Sequence, residues 1–504
     1  MNTAYCSGVS VVGIEGRPIR IEVALLSGLP YFQIVGLPDT ALSESKERVR
    51  AAFNSCGLPF PNKKVIVNLS PADTPKAGSG FDLPIAVAIL SAISGVALNP
   101  AVWYMGELGL DGSIRGVRGV LPAALGALKH GAESMVLPRS CASEAQAVDI
   151  DVREVWHLSQ IAQDLGLPCI EPPPACSQKD ESASKTEQGT DLADVLGQDE
   201  ARFALEIAAA GGHHLLMTGA PGVGKSMLAS CLPRILPPLS KGQAVEVAAI
   251  SSALGDFDGH LSRTPPFIAP HHSVSSIALV GGGNPIRPGA ISRAHNGVLF
   301  LDELPEFSAH TIQALRQPME EGSIEIHRAR MSLTFPARFQ LIGAANPCKC
   351  GNFLESPHRC TCSVADRRTY YRKIGGPILD RFDMNVILRR PRRSELASTV
   401  QAESSHDVAQ RVMQAREKQE VRFRSTVFHS NSQMSGKYVR SHTSVPTDID
   451  RLFDRALTRG EMTMRGIDKA LRLAWTISDL AGRDRPESGD FHQALLFRSR
   501  ALVE

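Results

Sequence analysis

Apolar and polar positions along the first third of the chain predict a mixture of strands and helices. Residues of the two classes alternate in Ile19–Leu26 and in Lys63–Ser70, the period-two pattern of a half-buried strand. A helical period runs through Ala41–Gly57, and glycine commonly ends a helix. The apolar run Leu83–Leu98 contains a proline and two serines and is short for a membrane span, which favours a buried helix. We therefore expect an α+β domain over residues 1–168.

The pattern changes twice after this domain. Residues 169–190 are rich in proline, serine and charge, and such a segment buries too little apolar surface to offset its ordering entropy. We predict a flexible linker there. Strand and helix patterns then alternate over residues 191–395, which predicts a parallel α/β sheet. From residue 396 to residue 504 the pattern is helical, with Val408–Gln419 and Gly466–Gly482 as amphipathic segments. The sequence as a whole predicts an α/β multidomain protein.

Composition indicates the class of protein and the cellular compartment to which these domains belong. The chain has 504 residues, of which 43% are hydrophobic and 21% are charged, as in ordinary globular proteins. The net charge of +2 means that any basic surface must be local. The N-terminus lacks a basic segment followed by an apolar core, so we expect no signal peptide, no membrane association and a cytoplasmic location. Ten cysteines in a reducing compartment favour metal binding over disulfides where they cluster.

One glycine-rich loop carries the chemistry of phosphate binding. In Leu215–Ser226 an apolar strand precedes a match to GxxxxGK[ST], and a helical pattern follows. Backbone N–H groups of such a loop wrap around phosphates. Lys225 would reach the β- and γ-phosphates, and Ser226 would ligate Mg²⁺. The alternative, a turn with a chance lysine, fits the flanking strand and helix poorly. The predicted nucleotide site comprises Gly219, Ala220, Pro221, Gly222, Val223, Gly224, Lys225 and Ser226.

Two further apolar strands end in polar residues. Gly297–Glu303 ends in two acids, and Phe339–Asn346 ends in an amide. Asp302 would hold the Mg²⁺, and Glu303 would orient and deprotonate the attacking water. Asn346 would position that water or sense the γ-phosphate. The alternatives are a strand ending in solvated acids and an ordinary Asn-Pro turn, and the phosphate loop makes the first of these improbable.

Cysteines cluster directly after Asn346. Four of them form the pattern CxC–x9–CxC, and four thiolates suit tetrahedral Zn²⁺. The CxC spacing is less usual than CxxC, and His358 could replace one thiolate. The alternative is four reduced, unligated thiols. We predict a structural zinc site that closes a loop, and not a catalytic centre, formed by Cys348, Cys350, Cys360 and Cys362.

These motifs resemble a known family. The order of Lys225, Asp302–Glu303 and Asn346 resembles that of the AAA+ ATPases, and Arg287–Phe307 is similar to the magnesium-chelatase branch. Nearly the whole chain resembles the YifB/ComM type of magnesium-chelatase-like AAA+ protein. The resemblance implies ATP and Mg²⁺ as cofactors. Family members commonly carry Glu after Arg-Pro-Gly, where this chain has Ala290, so we assign that position no catalytic role.

The resemblance implies roles for the other segments. Residues 191–395 would form a central AAA+ P-loop domain that contains the hairpin and the cysteine cluster, and residues 396–504 would form a C-terminal helical lid. Asp194–Ala201 is similar to the segment that lies over the adenine.

Two arginines are implied as γ-phosphate contacts. Arg381 lies in a segment similar to the arginine-finger motif, and Arg465 matches the sensor-2 arginine. A guanidinium beside the γ-phosphate stabilises charge on the transferring group. A finger that acts on a neighbouring subunit requires a ring, and we expect a hexamer. The alternative for Arg381 is an ion pair with Asp380 or Asp383. The alternatives for Arg465 are a charge on the helix face, and Arg472 in the sensor role.

Residues 1–168 resemble the Lon-type protease domain without its catalytic groups. Lys76 stands at the position of the catalytic serine, and Leu121 stands at that of the catalytic lysine. A Ser–Lys dyad needs both a hydroxyl and a base, and the nearby Ser79 is out of frame. We therefore predict no peptidase activity and a packing or ring-forming role.

Basic residues on a predicted hairpin are candidate DNA contacts. Gly322–Phe339 alternates as two strands with a turn near Arg328 and Arg330. In related ring ATPases a hairpin at this place faces the pore, and phosphate contacts need only positive charge. A solvated hairpin tip is the alternative. Arg367–Lys373 mixes cations with aromatic residues and is a second candidate, with a solvated helix face as its alternative.

The resemblance implies an ATP-driven ring motor that translocates on single-stranded or branched DNA. Helicase activity or branch migration in recombination during natural transformation would be its role. The alternatives are a chelatase-type ATPase that remodels a protein partner and an ATP-dependent protease, which the missing dyad disfavours.

Overall fold

The computed structural model divides the chain into two compact units. The first contains residues 1–185, 241–262 and 327–333, and the second contains residues 186–240, 263–326 and 334–504. Most of the predicted linker, residues 175–189, lies outside the described residues. Among the helices that are described, none has the length and apolarity to cross a membrane. The described residues are 2–36, 40–72, 76, 78–174, 190–283, 286–328, 331–355, 357–391 and 402–499.

The first unit begins with an α+β arrangement. Its strands are β1 (Asn2–Val12), β2 (Glu15–Leu26), β3 (Tyr31–Val35), β4 (Lys64–Ser70), β5 (Val102–Tyr104), β6 (Glu107–Leu108), β7 (Ile114–Arg115), β8 (Ser134–Pro138) and β9 (Asp151–Val155). Its helices over the same stretch are α1 (Thr40–Ser55), α2 (Asp82–Ser94), α3 (Val120–Lys129) and α4 (Leu158–Asp164).

A mixed seven-stranded sheet organises this unit in the order β3-β4-β2-β1-β5-β8-β9. β1 and β2 pair antiparallel in a hairpin whose register places Asn2 opposite Leu25 and Val12 opposite Glu15. β5, β8 and β9 then pair parallel. The two strands predicted from alternation are confirmed as β2 and β4. The apolar run is confirmed as α2, which is buried along nearly its whole length.

Lys76 and Ser79, the residues considered in the comparison with a protease dyad, each have a partner in the structure. Lys76 is buried, and its ammonium donates to the carbonyl of Pro71. The Ser79 hydroxyl donates to the carboxylate of Glu107, which is acidic and not a lysine base. In these two contacts the Lys76 ammonium and the Ser79 hydroxyl bind separate partners.

A buried carboxylate ties α1 to α2. Asp82 is fully buried and accepts hydrogen bonds from the guanidinium of Arg48, with Nε 2.6 Å from Oδ2 and Nη2 3.1 Å from Oδ1. The Ser45 hydroxyl donates to the same carboxylate. Burial raises the pKa of Asp82, and the hydrogen bonds from Arg48 and Ser45 oppose that shift.

We expect Arg48→Met to lower the free energy of unfolding by about 3 kcal/mol, because it leaves the Asp82 charge buried without its partner. Urea unfolding of the full chain measures the difference. Arg50→Met is the matched control on the same helix: its guanidinium lies over Phe32 and Phe60, 5.7 Å and 5.4 Å from the ring centres. Loss of these cation–π contacts should lower the free energy of unfolding by about 1 kcal/mol or less. Equal costs would show that Arg48 contributes packing alone.

The second unit contains the predicted alternation of strands and helices. Its strands are β10 (Leu215–Gly219), β11 (Phe267–Ile268), β12 (Gly281–Gly282), β13 (Arg287–Pro288), β14 (Gly297–Leu301), β15 (Ser323–Arg328), β16 (Met331–Pro336), β17 (Phe339–Ala345) and β18 (Met384–Leu388), with the tip of the β15–β16 hairpin grouped with the first unit. Its helices up to residue 379 are α5 (Asp199–Gly211), α6 (Lys225–Ser230), α7 (Leu232–Ile235), α9 (Ser276–Val280), α10 (Ala290–Arg293), α11 (Ala309–Gln313), α12 (Arg316–Glu321), α13 (Val364–Arg372) and α14 (Gly376–Leu379), while α8 (Lys241–Leu254) belongs to the first unit.

A parallel five-stranded sheet forms the centre of this unit, as predicted. Its order is β11-β14-β17-β10-β18, and every neighbouring pair is parallel. The three central strands, β14, β17 and β10, are mainly apolar and almost fully buried, as expected of strands covered on both faces. Their carboxyl ends share one edge, where ligands of such sheets bind.

The last hundred residues are helical, as predicted. Their helices form one apolar core with α5 and the strands of the sheet, to which Trp475 and Phe491 contribute. The two predicted amphipathic segments lie in the first and fourth of these helices. The helices are α15 (Ser405–Phe423), α16 (Gly436–His442), α17 (Thr447–Thr458), α18 (Met464–Leu480) and α19 (Ser488–Ser499).

α8 follows the phosphate loop in sequence but packs within the first unit. The Ser252 hydroxyl accepts a hydrogen bond from the Leu121 amide, 3.2 Å away, and donates to the buried Glu144 carboxylate. Ala248 and Ala249 pack against the fully buried Leu121 side chain. Leu121 is therefore part of an apolar contact between α3 and this helix.

Candidate nucleotide site and cysteine cluster

The phosphate loop joins β10 to α6. Gly222 and Gly224 have φ of 77° and 94°, which glycine adopts without strain. Lys225 is 8% exposed, and its ammonium donates to the carbonyls of Gly219 and Ala220 at 2.7 and 3.0 Å. Burial lowers the pKa of Lys225, and the charges of Asp302 and Glu303 oppose that shift. The lysine is held over the loop where a phosphate would lie.

The two acids predicted from the sequence follow β14 and meet this loop. The Ser226 hydroxyl donates to Asp302 Oδ2 at 2.6 Å, so the two predicted Mg²⁺ ligands are adjacent. Asp302 Oδ1 accepts from the Glu303 amide at 2.9 Å. Glu303 adopts a left-handed φ of 50°, a conformation that non-glycine residues rarely take outside functional sites. Because of this turn, the carboxylates of Asp302 and Glu303 contact different residues.

Asn346 completes the group at the end of β17. Its side-chain oxygen accepts from the Lys225 ammonium at 3.0 Å. Its backbone carbonyl accepts from the Tyr371 hydroxyl at 2.9 Å. The structure therefore brings Lys225, Ser226, Asp302 and Asn346 together through direct contacts.

A histidine pair that the sequence analysis missed lies beside the acids. His272 Nδ1 is 3.3 Å from Glu303 Oε2, and its ring centre is 4.1 Å from that of His271. Both histidines follow β11, which pairs parallel with the strand that precedes the acids. Their position after a short strand of the same sheet was the only signal that could have indicated them.

We expect His272→Ala to lower kcat for ATP about tenfold with little change in KM, because Glu303 loses the contact that orients it. The matched control is His271→Ala, since the His271 ring nitrogen contacts the Ser273 hydroxyl at 2.8 Å and not the carboxylate. Steady-state ATP turnover measures both variants. A rise in KM with unchanged kcat would mean that His272 acts in nucleotide binding and not in positioning Glu303.

The four clustered cysteines converge. Cys348, Cys350 and Cys360 have Sγ–Sγ distances of 3.3 to 3.7 Å, and all four Sγ atoms lie within 4.8 Å of one another. The Asn352 amide lowers the pKa of Cys350 to about 6. Four sulfur donors in one group fit a tetrahedral Zn²⁺ or a similar thiophilic ion. His358 is exposed in a short turn and lies outside the group.

The cysteine loop packs against the phosphate loop. Gly351 has a left-handed φ of 79°, and a Cβ at this position would lie 2.5 Å from Cδ of Pro221. Glycine is therefore required by both the backbone and the contact. The charge of Glu355, in the same loop, acts on the Lys225 ammonium. The cluster is thus placed to support the shape of the nucleotide site.

Comparison with known proteins places this site in a family. Family models match residues 191–396 (magnesium chelatase, subunit ChlI), 21–141 (subunit ChlI of Mg-chelatase) and 402–498 (the C-terminal part of subunit ChlI). The chain is 38% identical to protein YifB of Escherichia coli, over 97% of this chain and 96% of YifB. It is 37% identical to the competence protein ComM of Haemophilus influenzae, over 99% of this chain and 98% of ComM. The chain belongs to the YifB/ComM family of magnesium-chelatase-like proteins.

A more distant relative connects the family to the chelatases. The magnesium-chelatase 38 kDa subunit of Rhodobacter capsulatus is 29% identical over 34% of this chain and 54% of that subunit. Membership of this family makes the chain an AAA+ ATPase of the chelatase-like class, with ATP and Mg²⁺ as the indicated cofactors.

The segment assigned to the adenine by family resemblance reaches the phosphate loop. Gln198 Nε2 donates to the Val223 carbonyl at 3.4 Å and to the Arg389 carbonyl at 2.5 Å. The segment therefore bridges the loop and the end of β18.

The two arginines assigned by resemblance to the YifB/ComM family lie apart from the loop. Arg381 donates to the Pro377 carbonyl at 2.8 Å and forms an ion pair with Glu320. The alternative of an ion pair with Asp380 or Asp383 is therefore wrong, because Glu320 on α12 occupies the guanidinium. Among the described residues, no contact joins Arg381 to Lys225 or to the acids of the phosphate site, Asp302 and Glu303.

The sensor-2 candidates also differ in their surroundings. Arg465 is the exposed second residue of α18. Arg472 is half-buried on the same helix, where the charges of Asp383 and Asp468 act on it. Arg465 is free to meet a ligand that enters from solvent, and Arg472 already faces carboxylates of its own chain.

The predicted hairpin is confirmed as the two-stranded sheet β15–β16. Arg328 is the last residue of β15, but its side chain is outside the described part of the chain, as is the whole of Arg330. In the second basic candidate, Tyr370 and Tyr371 are 5% and 4% exposed, so they are not available to stack on bases.

Proposed function

We propose that this chain is the subunit of an ATP-driven ring motor that translocates on DNA. Its activity would be helicase unwinding or branch migration of single-stranded or branched DNA in recombination during natural transformation. The observation that carries the proposal is the junction of Lys225, Ser226, Asp302 and Asn346 at one sheet edge. Similarity to a competence protein along nearly the whole chain supports DNA as the substrate.

Each residue at this edge of the sheet would have a separate role in ATP hydrolysis. The loop from Gly219 to Gly224, apart from Pro221, which has no N–H, would present backbone amides to the phosphates, and Lys225 would neutralise the β- and γ-phosphates. Ser226 and Asp302 would hold Mg²⁺, which when bound would polarise the phosphate oxygens. Glu303 accepts the proton of the attacking water, and Asn346 senses the γ-phosphate through its contact with Lys225.

We further propose that the site is completed by a neighbouring subunit in a ring, with a hexamer expected. Arg381 would leave Glu320 to contact the γ-phosphate of that neighbour, where its charge stabilises the transferring group. Arg465 would contact the nucleotide of its own subunit from the helical segment acting as a lid. Arg328 and Arg330 would contact DNA phosphates in the pore.

The remaining parts would support this motor in the cytoplasm. Residues 1–168 would be a Lon-protease-like domain without peptidase activity that helps to form the ring. The four cysteines would hold a structural Zn²⁺.

DNA-dependent ATP turnover tests the proposal. A ring preparation is assayed for binding to single-stranded and forked DNA at low salt, and for ATP hydrolysis with and without that DNA. We expect binding that weakens steeply with salt, and faster ATP turnover with DNA. A ring that binds no DNA at low salt would overturn the proposal.

A chelatase-type motor that remodels a protein partner is the second candidate. The match of three segments to models of the chelatase subunit ChlI favours it. Metal insertion into a porphyrin with a partner subunit, together with indifference to DNA, would identify this function. Cleavage of casein would identify an ATP-dependent protease, which we do not expect because Lys76 and Leu121 replace the dyad.

A further inference from the structure

A basic surface extends from the cysteine cluster along α13. We call it the basic strip and define it by Lys349, Arg359, Arg368, Arg372 and Arg390, all of which have exposed side chains. Residues 349–373 contain six Lys and Arg against two Asp and Glu, a formal charge of six minus two, or +4. In a chain with a net charge of only +2, this is a local concentration of positive charge.

The fold gathers these cations from three segments. Arg390, after β18, lies against the cysteine loop because its Nε is 2.8 Å from a carboxylate oxygen of Glu355. The loop is fixed to α13 by the guanidinium of Arg367, 3.9 Å above the ring of Phe353. Arg368 and Arg372 are four residues apart on α13, so they share one face of the helix. Sequence spacing alone does not bring Arg390 to this surface.

The two acids of the segment have other partners. Asp366 caps α13 by accepting from the Ser363 amide at 2.9 Å and from its hydroxyl at 2.7 Å. Glu355 accepts from the Arg390 amide at 2.9 Å in addition to its ion pair. Neither carboxylate forms an ion pair with Arg368 or Arg372. The exposed face of α13 therefore presents guanidinium groups without paired carboxylates from this segment.

The inner side of the same segment contacts the nucleotide site. Tyr371 is buried, and its hydroxyl donates to the Asn346 carbonyl at 2.9 Å. The cysteine loop meets the phosphate loop where Gly351 lies against Pro221. A displacement of α13 would thus be transmitted to two parts of the ATP site, Asn346 and the phosphate loop.

We propose that the basic strip binds the phosphodiester backbone of nucleic acid and couples that contact to ATP hydrolysis through Tyr371 and Gly351. This inference rests on the proposed function and adds a contact surface outside the hairpin. Guanidinium groups bind phosphate oxygens in a bidentate manner and without sequence preference. Because both tyrosines are buried, the contact is electrostatic and does not involve base stacking.

Neutralising two arginines tests the surface. The full-length ring carrying Arg368→Gln and Arg372→Gln is titrated with a fluorescent single-stranded oligonucleotide from about 50 to about 300 mM salt. We expect affinity to fall roughly tenfold or more at about 0.1 M salt, and the slope of log K against log salt to become shallower by about 1.4. The matched control is Arg451→Gln with Arg455→Gln, an exposed pair of the same spacing on α17, which should change neither quantity.

A single hydroxyl tests the coupling. Tyr371→Phe keeps the buried ring but removes the hydrogen bond to Asn346. We expect unchanged affinity for the oligonucleotide and a loss of most of the stimulation of ATP turnover by DNA. Unchanged stimulation would overturn the coupling through Tyr371.

The outcomes separate this inference from the proposed function. Suppose that the wild-type ring binds DNA and that the Arg368→Gln, Arg372→Gln ring binds with the same affinity and the same salt dependence. The role of the basic strip is then overturned, and the proposed function stands. If the wild-type ring binds no DNA, both are overturned. Loss of binding to vesicles of anionic lipid, with DNA binding unchanged, would assign the strip to a membrane surface and overturn the inference.

Discussion

Glu303→Gln is expected to lower the rate of ATP hydrolysis by about 10² to 10⁴-fold while ATP binding is retained. Glutamine keeps the size of the side chain but cannot accept a proton from water. The carboxylate stands directly after Asp302 in a left-handed turn, 3.3 Å from His272. Nucleotide binding depends instead on the phosphate loop, so affinity for an ATP analogue should be nearly unchanged.

Glu306→Gln is the matched control for this substitution. It lies three residues further on, and its carboxylate is 3.8 Å from the Lys373 ammonium and not among the groups of the phosphate site. Single-turnover hydrolysis and analogue binding are measured for both variants. Equal rates for Glu303→Gln and the wild type would exclude Glu303 as the base, and loss of analogue binding would assign it to nucleotide affinity.

Cys348→Ser is expected to weaken zinc binding by more than a hundredfold. Even outer-shell substitutions at metal sites cost about 10 to 100-fold in affinity, and this change removes a direct ligand. Cys348 is fully buried at the centre of the group, 3.3 Å from Cys350 and 3.7 Å from Cys360. The loop it organises carries Gly351 against Pro221, so ATP affinity should fall as well.

Metal analysis of protein purified without chelator measures this effect. The wild type should contain about one zinc per chain, as four thiolates satisfy one tetrahedral ion. Cys169→Ser is the control, because Cys169 is a free, half-buried cysteine in the first unit. Less than about half an equivalent of zinc in the wild type would contradict a four-cysteine site and favour free thiols.

The nucleotide site was predictable because its signals are local. Strand, loop and helix are contiguous around Lys225, and Asp302 and Glu303 end an apolar strand of unmistakable pattern. Parallel strands place their carboxyl ends at one edge, so the meeting of Ser226, Asp302 and Asn346 followed from the alternation of elements. Two strands of the first unit, β2 and β4, were likewise visible from their period of two.

Features that depend on packing between distant segments were not visible in the sequence. His272 lies in a turn after a two-residue strand with no periodic signal, and the partner of Arg381 comes from a helix about sixty residues earlier. α8 packs in the first unit, where Ser252 forms its hydrogen bonds. No change in composition along the sequence predicts this packing. The roles of Arg328, Arg330 and Arg465 stay predictions.

The central claim, that this ATP site drives movement on DNA, is tested most directly by unwinding of a forked DNA. The wild-type ring and the Glu303→Gln ring are compared at equal DNA occupancy, with ATP and Mg²⁺ present. We predict that the wild type separates the strands and that the variant binds the fork without separating it. Strand separation by both proteins at the same rate, or by neither, would contradict the account.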